Sequence, residues 1–191
     1  ISSQKLLRFL LMITHYHGQI WNASQIAKSL DLSANTVQNY LDIMESTFLV
    51  RRLFPYWINI NKRLIKSPKI YFRDSGIFHA MLNLVDYNQL SNHPFLGHSW
   101  ECFVIEQIIN NLPPYWQYYY YRTNAGAEID LVLIPPQQEP IAVEIKYSSS
   151  PKLTKGLIQA YQDLNCQKGW VVYPGKEKYP LNSDFTALPL S

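Results

Sequence analysis

The 191-residue chain is 47% hydrophobic and 16% charged, the balance of a folded globular protein. It holds 17 basic and 14 acidic residues, unevenly spread: ten Lys/Arg and five Asp/Glu in 1–92, seven and nine in 93–191. No apolar run approaches the roughly 18–20 residues of a membrane span, no cleavable signal segment is read, and two cysteines are too few for a disulfide framework. A cytoplasmic protein with no membrane partner is therefore expected, and the basic first half suggests a phosphate-bearing partner.

In chain order, Leu6, Phe9, Leu10, Ile13 and Tyr16 recur at helical spacing between Ser3 and His17, and Gly18 ends that helix. Asn22, with Gln25 three positions on, opens a short second helix carrying Ile26, Ala27 and Leu30. Asp31-Leu32-Ser33 makes a tight turn, and Ser33 caps a third helix with Val37, Tyr40, Leu41 and Met44 on one face. The runs Phe48 to Phe54 and Lys69 to Phe72 are rich in β-formers. Three helices followed by a two-stranded hairpin predict a winged helix-turn-helix.

Residues 86–97 are polar and aperiodic, which sets a boundary between a first domain, 1–90, and a second, 94–191. The second reads helix, strand, strand, strand, helix, strand. Ser99 caps its first helix, with Trp100, Phe103, Val104 and Ile108 on the apolar side and Glu106, Gln107 and Asn110 on the wet side. Strands are expected over 117–122, 128–134, 141–147 and 169–173, with a helix opening at Pro151 and an edge strand near Phe185.

The chemistry concentrates in the hairpin GAEIDLVLIPPQQEPIAVEIKYS, Gly126 to Ser148. Pairing its arms about Gln137-Gln138 sets Asp130 opposite Ile145, within reach of Glu144 and Lys146, which share a face because they are two apart on a strand. Two carboxylates and an ammonium so gathered inside an apolar sheet must pair or hold a metal. Carboxylates are hard oxygen ligands suited to Mg2+ or Mn2+, and such an ion beside a lysine is minimum equipment for hydrolysing a phosphodiester. Glu101 falls on the apolar stripe of the preceding helix, with Ile105, Ile108 and Leu112, and is expected to complete the cluster. The plainer alternative is a cross-strand ion pair of Asp130 and Lys146 with Glu144 on an exposed edge.

The order helix (Glu101), strand, strand (Asp130), strand (Glu144-x-Lys146), helix, strand resembles the PD-(D/E)XK nuclease superfamily. The resemblance implies a restriction-endonuclease-like α-β-β-β-α-β domain, so that the whole is α+β in its first domain and α/β in its second. It further implies Asp130 and Glu144 as ligands of Mg2+ or Mn2+, Lys146 as the catalytic lysine and Glu101 as an accessory carboxylate. Ile129 stands where the motif has proline, and Lys155 and Gln159 fall on the polar face of the next helix, where some members carry an extra active-site group. The runs SQIAKSLDLSANTVQNYLDIMESTFLVRRLFPY and NKRLIKSPKIYFRDSGI resemble the region after the ATPase module in predicted prokaryotic AAA-type ATPases, where a winged helix leads into a nuclease-like domain of unknown function. No GxxxxGK[ST] phosphate loop occurs, and the chain opens on Ile1, so a piece of a longer protein is expected, with the ATPase as its partner.

The expected function is a divalent-metal-dependent DNA nuclease; the alternative is a non-catalytic DNA- or protein-binding adaptor that regulates the ATPase. A transcription regulator working through the winged helix alone fits less well. The third helix has exposed Asn35, Thr36, Gln38 and Asn39 but no Lys or Arg, and it carries Asp42 and Glu45. The positive charge lies at Arg51, Arg52, Lys62, Arg63, Lys66 and Lys69, on and between the wing strands, which favours contact with nucleic-acid backbone or with the ATPase over base reading. His15 and His17, two apart, make a poor metal pair; Tyr118 to Tyr121 pack most simply within a sheet; Cys102 and Cys166 lack zinc-type spacing. The sequence leaves the oligomeric state open.

Overall fold

A computed structural model describes residues 3–57 and 64–190. The chain is a mixed α and β protein that divides into two compact units. The first contains the described residues up to Leu53 together with Ser67–Cys102; the second contains those of 54–66 together with 103–190. This division is less simple than a cut near residue 90. It falls inside one helix, and it assigns the segment between two adjacent strands of the first unit to the second.

In the first unit, helices α1 (Ser3–Thr14), α2 (Ala23–Leu30) and α3 (Ala34–Ser46) enclose Phe9, Ile13, Ile26, Val37 and Leu41, all fully buried. The termini are as the capping residues dictate. Asn22 Oδ1 accepts from Gln25 N at 3.0 Å and Ser33 Oγ from Thr36 N at 3.1 Å, while Asp31 closes α2 in the left-handed region at φ +54°. Strands β1 (Gln19–Ile20), β2 (Val50–Leu53) and β3 (Lys69–Phe72) form an antiparallel sheet in the order β1-β3-β2, with Arg51 opposite Tyr71 and Leu53 opposite Lys69. Helices α4 (Ser75–Met81) and α5 (Tyr87–Ser91) follow, neither foreseen in the sequence. Asp74 and Asp86 cap them by accepting from Ile77 N and Gln89 N. The polar stretch that reads as a linker therefore holds a five-residue helix, too short for periodicity to reveal.

Helix α6 (Leu96–Asn110) begins three residues before its expected cap: Ser99 lies inside it, buried, with Oγ 2.7 Å from His79 Nε2. Its faces also differ from expectation. Glu106 is buried at 4% exposure and Phe103 is 42% exposed, because the buried run Cys102, Val104, Ile105, Glu106 wraps around the helix and does not follow a single stripe.

The second unit is built on a six-stranded sheet of order β4-β5-β6-β7-β9-β8: β4 (Gln117–Arg122), β5 (Glu128–Ile134), β6 (Ile141–Ile145), β7 (Lys168–Tyr173), β8 (Tyr179–Pro180) and β9 (Phe185–Pro189). β4, β5 and β6 run antiparallel in sequence, and β6, β7 and β9 are parallel neighbours. Parallel strands require a crossover, supplied between β6 and β7 by α7 (Lys155–Asp163). Its cap is Thr154, whose Oγ1 accepts from Leu157 N at 3.1 Å, so Pro151 lies ahead of the helix and not in its first turn. Leu157 and Ala160 pack with Val132, Ala142 and Val171 of the sheet. Along the outer edge of β4, Tyr56 N donates to Tyr120 O at 2.7 Å and Tyr120 N to Phe54 O at 2.9 Å, so residues 54–56 cover an otherwise open strand.

Candidate functional site

β6 reads Ile-Ala-Val-Glu-Ile and every residue of it is buried, as expected of a strand flanked on both sides in a sheet. Glu144 is therefore carried inside by its neighbours and retains only 5% exposure. It is aligned with Val171 of β7, so its side chain shares the face of Ala142 and Val171 that α7 covers. A buried carboxylate needs a counter-charge. Lys146, two residues on and on the same face, supplies it: Nζ lies 2.5 Å from Glu144 Oε1, while the lysine side chain stays 35% exposed.

Asp130 enters from β5. The hairpin pairs Leu131 with Val143 and Val132 with Ala142, so continuing the register sets Asp130 across from Glu144, one residue away from the sequence expectation of Ile145. The centre of the hairpin thus lies half a residue from the symmetric expectation, in a turn where Gln137 takes φ +58°. Directly opposed residues of an antiparallel pair share a face, so the observed register, and not the expected one, sets Asp130 on the face of Glu144 and Lys146. Asp130 Oδ2 accepts from Ile145 N at 2.9 Å, which anchors this half-buried carboxylate at the backbone between the glutamate and the lysine.

Among the described residues no group of three or more His, Cys, Asp and Glu side chains converges as a metal site. Two carboxylates and the carbonyl of Ile145 are nevertheless hard oxygen donors, and Mg2+ or Mn2+ takes one or two carboxylates and keeps waters for the rest. The donor set fits such an ion.

Glu101 is committed within the first unit. Its Oε1 lies 3.3 Å from Lys69 Nζ and accepts from Tyr71 OH at 2.5 Å, and Oε2 lies 3.5 Å from His98 Nδ1. Burial by itself raises a carboxyl pKa; the Lys69 ammonium, aided by His98 and Tyr71, overcomes it and holds Glu101 down at about 2. Next to this group His17 stacks on Phe78 at 3.8 Å, and its Nδ1 accepts from Phe72 N at 3.1 Å. Burial drives its pKa down to about 3, against the opposing pull of Glu101.

The expected basic surface is smaller than the sequence implies. Lys69 is 3% exposed and paired with Glu101, which removes it from a backbone-contacting set. Arg52 ties α3 to β2: NH1 lies 2.8 Å from Asp42 Oδ1, Nε donates to Glu45 Oε2 at 2.7 Å, and NH2 pairs with the same carboxylate. Arg51 is half-buried, and Lys66 is exposed with its ammonium 5.5 Å from the Trp57 ring centroid. Lys62 and Arg63 lie outside the described residues.

A cavity of about 700 Å³ opens between the β4–β5 turn and the first turn of α7. Lys155, Asn124, Gln159 and Gly126 line it. Lys155 and Gln159 stand out in the sequence; Asn124 does not, because a Thr-Asn-Ala-Gly turn carries no signal of a cavity until the helix packs against it.

Comparison with known proteins adds kinship. Residues 96–191 match the family described as Domain of unknown function (DUF4143), and residues 1–88 that described as Domain of unknown function (DUF8612). Uncharacterised proteins of Mycobacterium bovis and Mycobacterium tuberculosis are each 39% identical over 189 residues, 99% of this chain and 42% of the relative. An uncharacterised protein of Methanocaldococcus jannaschii is 20% identical over 181 residues, 88% of this chain and 34% of its own length. The chain thus spans less than half the length of these curated relatives. No solved structure matches it.

Proposed function

This chain belongs to the DUF4143 family, and from that premise we propose that its second unit is a divalent-metal-dependent DNA phosphodiesterase of the PD-(D/E)XK kind. The observation that carries the reading is the junction of Asp130, Glu144 and Lys146: a carboxylate hydrogen-bonded to Ile145 N beside a buried Glu–Lys pair on the neighbouring strand. Asp130 and Glu144, with the Ile145 carbonyl, would hold the ion. When bound, Mg2+ or Mn2+ supplies Lewis acidity toward a phosphodiester. Lys146 fixes the rotamer of Glu144 and sets a positive charge beside the group that the phosphate would approach; its partial exposure leaves it within reach of solvent and substrate. Glu101, engaged by Lys69 and Tyr71, has a structural part in this reading.

Three helices and a small antiparallel sheet support a winged helix-turn-helix in the first unit. With α3 free of Lys and Arg, and Gln38 bonded to Asp42 and accepting from Trp21, its part is backbone or protein contact. The family is often associated with AAA-type ATPases, so the natural partner of the module is an ATPase in a longer polypeptide. The assay is cleavage of plasmid and branched DNA with Mg2+ or Mn2+, comparing the unaltered protein with Asp130→Ala and Lys146→Ala. Loss of cleavage in both variants is expected, by about 10³-fold or more, as for removal of metal or electrostatic groups. Equal activity in all three overturns the catalytic reading.

A second reading is favoured by a specific observation: Glu144 and Lys146 neutralise each other, and no three-acid group forms among the described residues. The unit then serves as an adaptor that binds DNA or protein and regulates the ATPase. Thermal unfolding with and without Mn2+ separates the two. A metal-dependent rise in Tm abolished by Asp130→Ala supports the enzyme, and no rise supports the adaptor.

A further inference from the structure

The cavity between the β4–β5 turn and α7 is chemically one-sided. Its lining has one ammonium, Lys155, and two carboxamides, Asn124 and Gln159, with no acidic or aromatic side chain. Gln159 is held by Asp163, its Nε2 donating to Oδ1 at 2.8 Å, while the other oxygen of Asp163 accepts from Tyr121 OH at 3.1 Å. That aspartate is thus engaged one turn further along α7. Among the described residues the Lys155 ammonium and the Asn124 amide have no hydrogen-bond or ion-pair partner, and both are exposed. An uncompensated cation and an unengaged amide facing one space select an anion that also offers hydrogen-bond acceptors.

The walls are built to leave that space open. Gly126 takes φ +90°, a conformation that L side chains rarely adopt, and a Cβ there would meet nothing within 4 Å. Gly156 faces it so closely that a Cβ would come within 2.6 Å of Gly126 O. Both positions therefore favour glycine, one for its dihedral and one for the approach of α7 to the turn. The volume, about 700 Å³, is that of a small-molecule site and far more than a lone phosphate fills.

We propose that this cavity binds one nucleotide of a DNA strand, Lys155 contacting its phosphate and Asn124 its base or sugar. The inference rests on the nuclease reading for the identity of the substrate and extends it to a second point of contact. Ala127, at the edge of the cavity, precedes Asp130 by three residues, about 10 Å of strand. That span is about three steps of a duplex strand at ~3.4 Å each, so the site grips the strand on one side of the position to be cut.

The test is binding of a short fluorescein-labelled DNA to the full chain in EDTA, by fluorescence anisotropy over a range of salt, so that recognition is measured without metal or cleavage. Lys155→Glu is expected to weaken binding about tenfold and to reduce the slope of log affinity against log salt by about one. Asn124→Ala is expected to weaken binding several-fold with the slope unchanged. Both residues are exposed, so folding is not at stake, and Lys155→Gln gives an intermediate loss. Affinity for Lys155→Glu equal to that of the unaltered protein overturns the site. Competing deoxyadenosine monophosphate separates the two sources of a nucleotide: displacement only at concentrations about tenfold or more above those of unlabelled DNA supports a strand, and equal potency overturns the strand in favour of a free nucleotide. Lys155-dependent binding without any metal-dependent cleavage keeps this site and defeats the nuclease reading; cleavage without Lys155 dependence does the reverse.

Discussion

At the residue scale, the buried charges are the most exposed to test. Glu101 and Lys69 meet with side chains 13% and 4% exposed, so removing one leaves the other uncompensated in a dry site. Glu101→Gln is expected to cost about 3–5 kcal/mol in urea unfolding, and Glu101→Gln combined with Lys69→Met to recover much of it, because breaking a buried pair is worse than replacing it. His17 sets an acid limit. Its folded pKa, about 3, lies below the ordinary 6.5 because burial disfavours the imidazolium. The folded state then binds fewer protons than the unfolded one, so its contribution is complete above pH 6.5 and drains as pH falls toward 3. Glu101, lowered from 4.5 to about 2, acts in the same sense over a lower window. Each group contributes a slope of at most about 1.4 kcal/mol per pH unit. Stability measured from pH 7 to 4 should decline in the unaltered protein and more gently in His17→Asn, which keeps an acceptor for Phe72 N; identical slopes would remove His17 from the account.

At the element scale, α3 is fastened to β2 by one arginine. Arg52 answers both Asp42 and Glu45, acids that otherwise stand uncompensated on a helix without a basic residue. Arg52→Met is expected to destabilise the first unit by about 1 kcal/mol, since Asp42 is half-exposed and the pair is partly screened. If Arg52 were instead a DNA contact, the same variant would leave unfolding unchanged and weaken DNA binding, and the two measurements decide between these roles. The β5–β6 hairpin makes a related point about register. The pairing lies one residue from the symmetric expectation, and because a one-residue slip exchanges the faces, it is the observed register that sets Asp130 on the side of Glu144 and Lys146.

At the scale of the whole molecule, the two family matches meet across the linker-like stretch, at 88 and 96, whereas the compact units part inside α6. The stretch 54–56 belongs to the second unit and supplies hydrogen bonds to Tyr120 along the outer edge of β4. A fragment of residues 94–191, although it matches the second family over nearly all its length, leaves that edge bare. It is expected to self-associate in light scattering and to lose amide protection at Tyr120 in hydrogen exchange, relative to the full chain. A monomeric fragment with full protection would show that residues 54–56 are dispensable for the sheet.

Local physics fixed much of this protein in advance. The caps at Asn22 and Ser33, the apolar spacing of the first three helices and the near-continuous apolar run of β6 each depend on neighbours within a few residues, so these elements were legible in the sequence, and with them the nearness of Asp130 to Glu144 and Lys146, though not the register that turns all three to one face. The fates of Lys69, Arg52 and Glu101 were not. Lys69 reads as one more cation on a basic wing until a glutamate 32 residues away is brought against it, and whether a charge faces solvent or a buried partner is set by packing that no local pattern encodes. The cavity at Lys155 has the same origin: it exists only because Gly156 brings α7 onto the turn at Gly126, two glycines 30 positions apart that the fold alone places in contact.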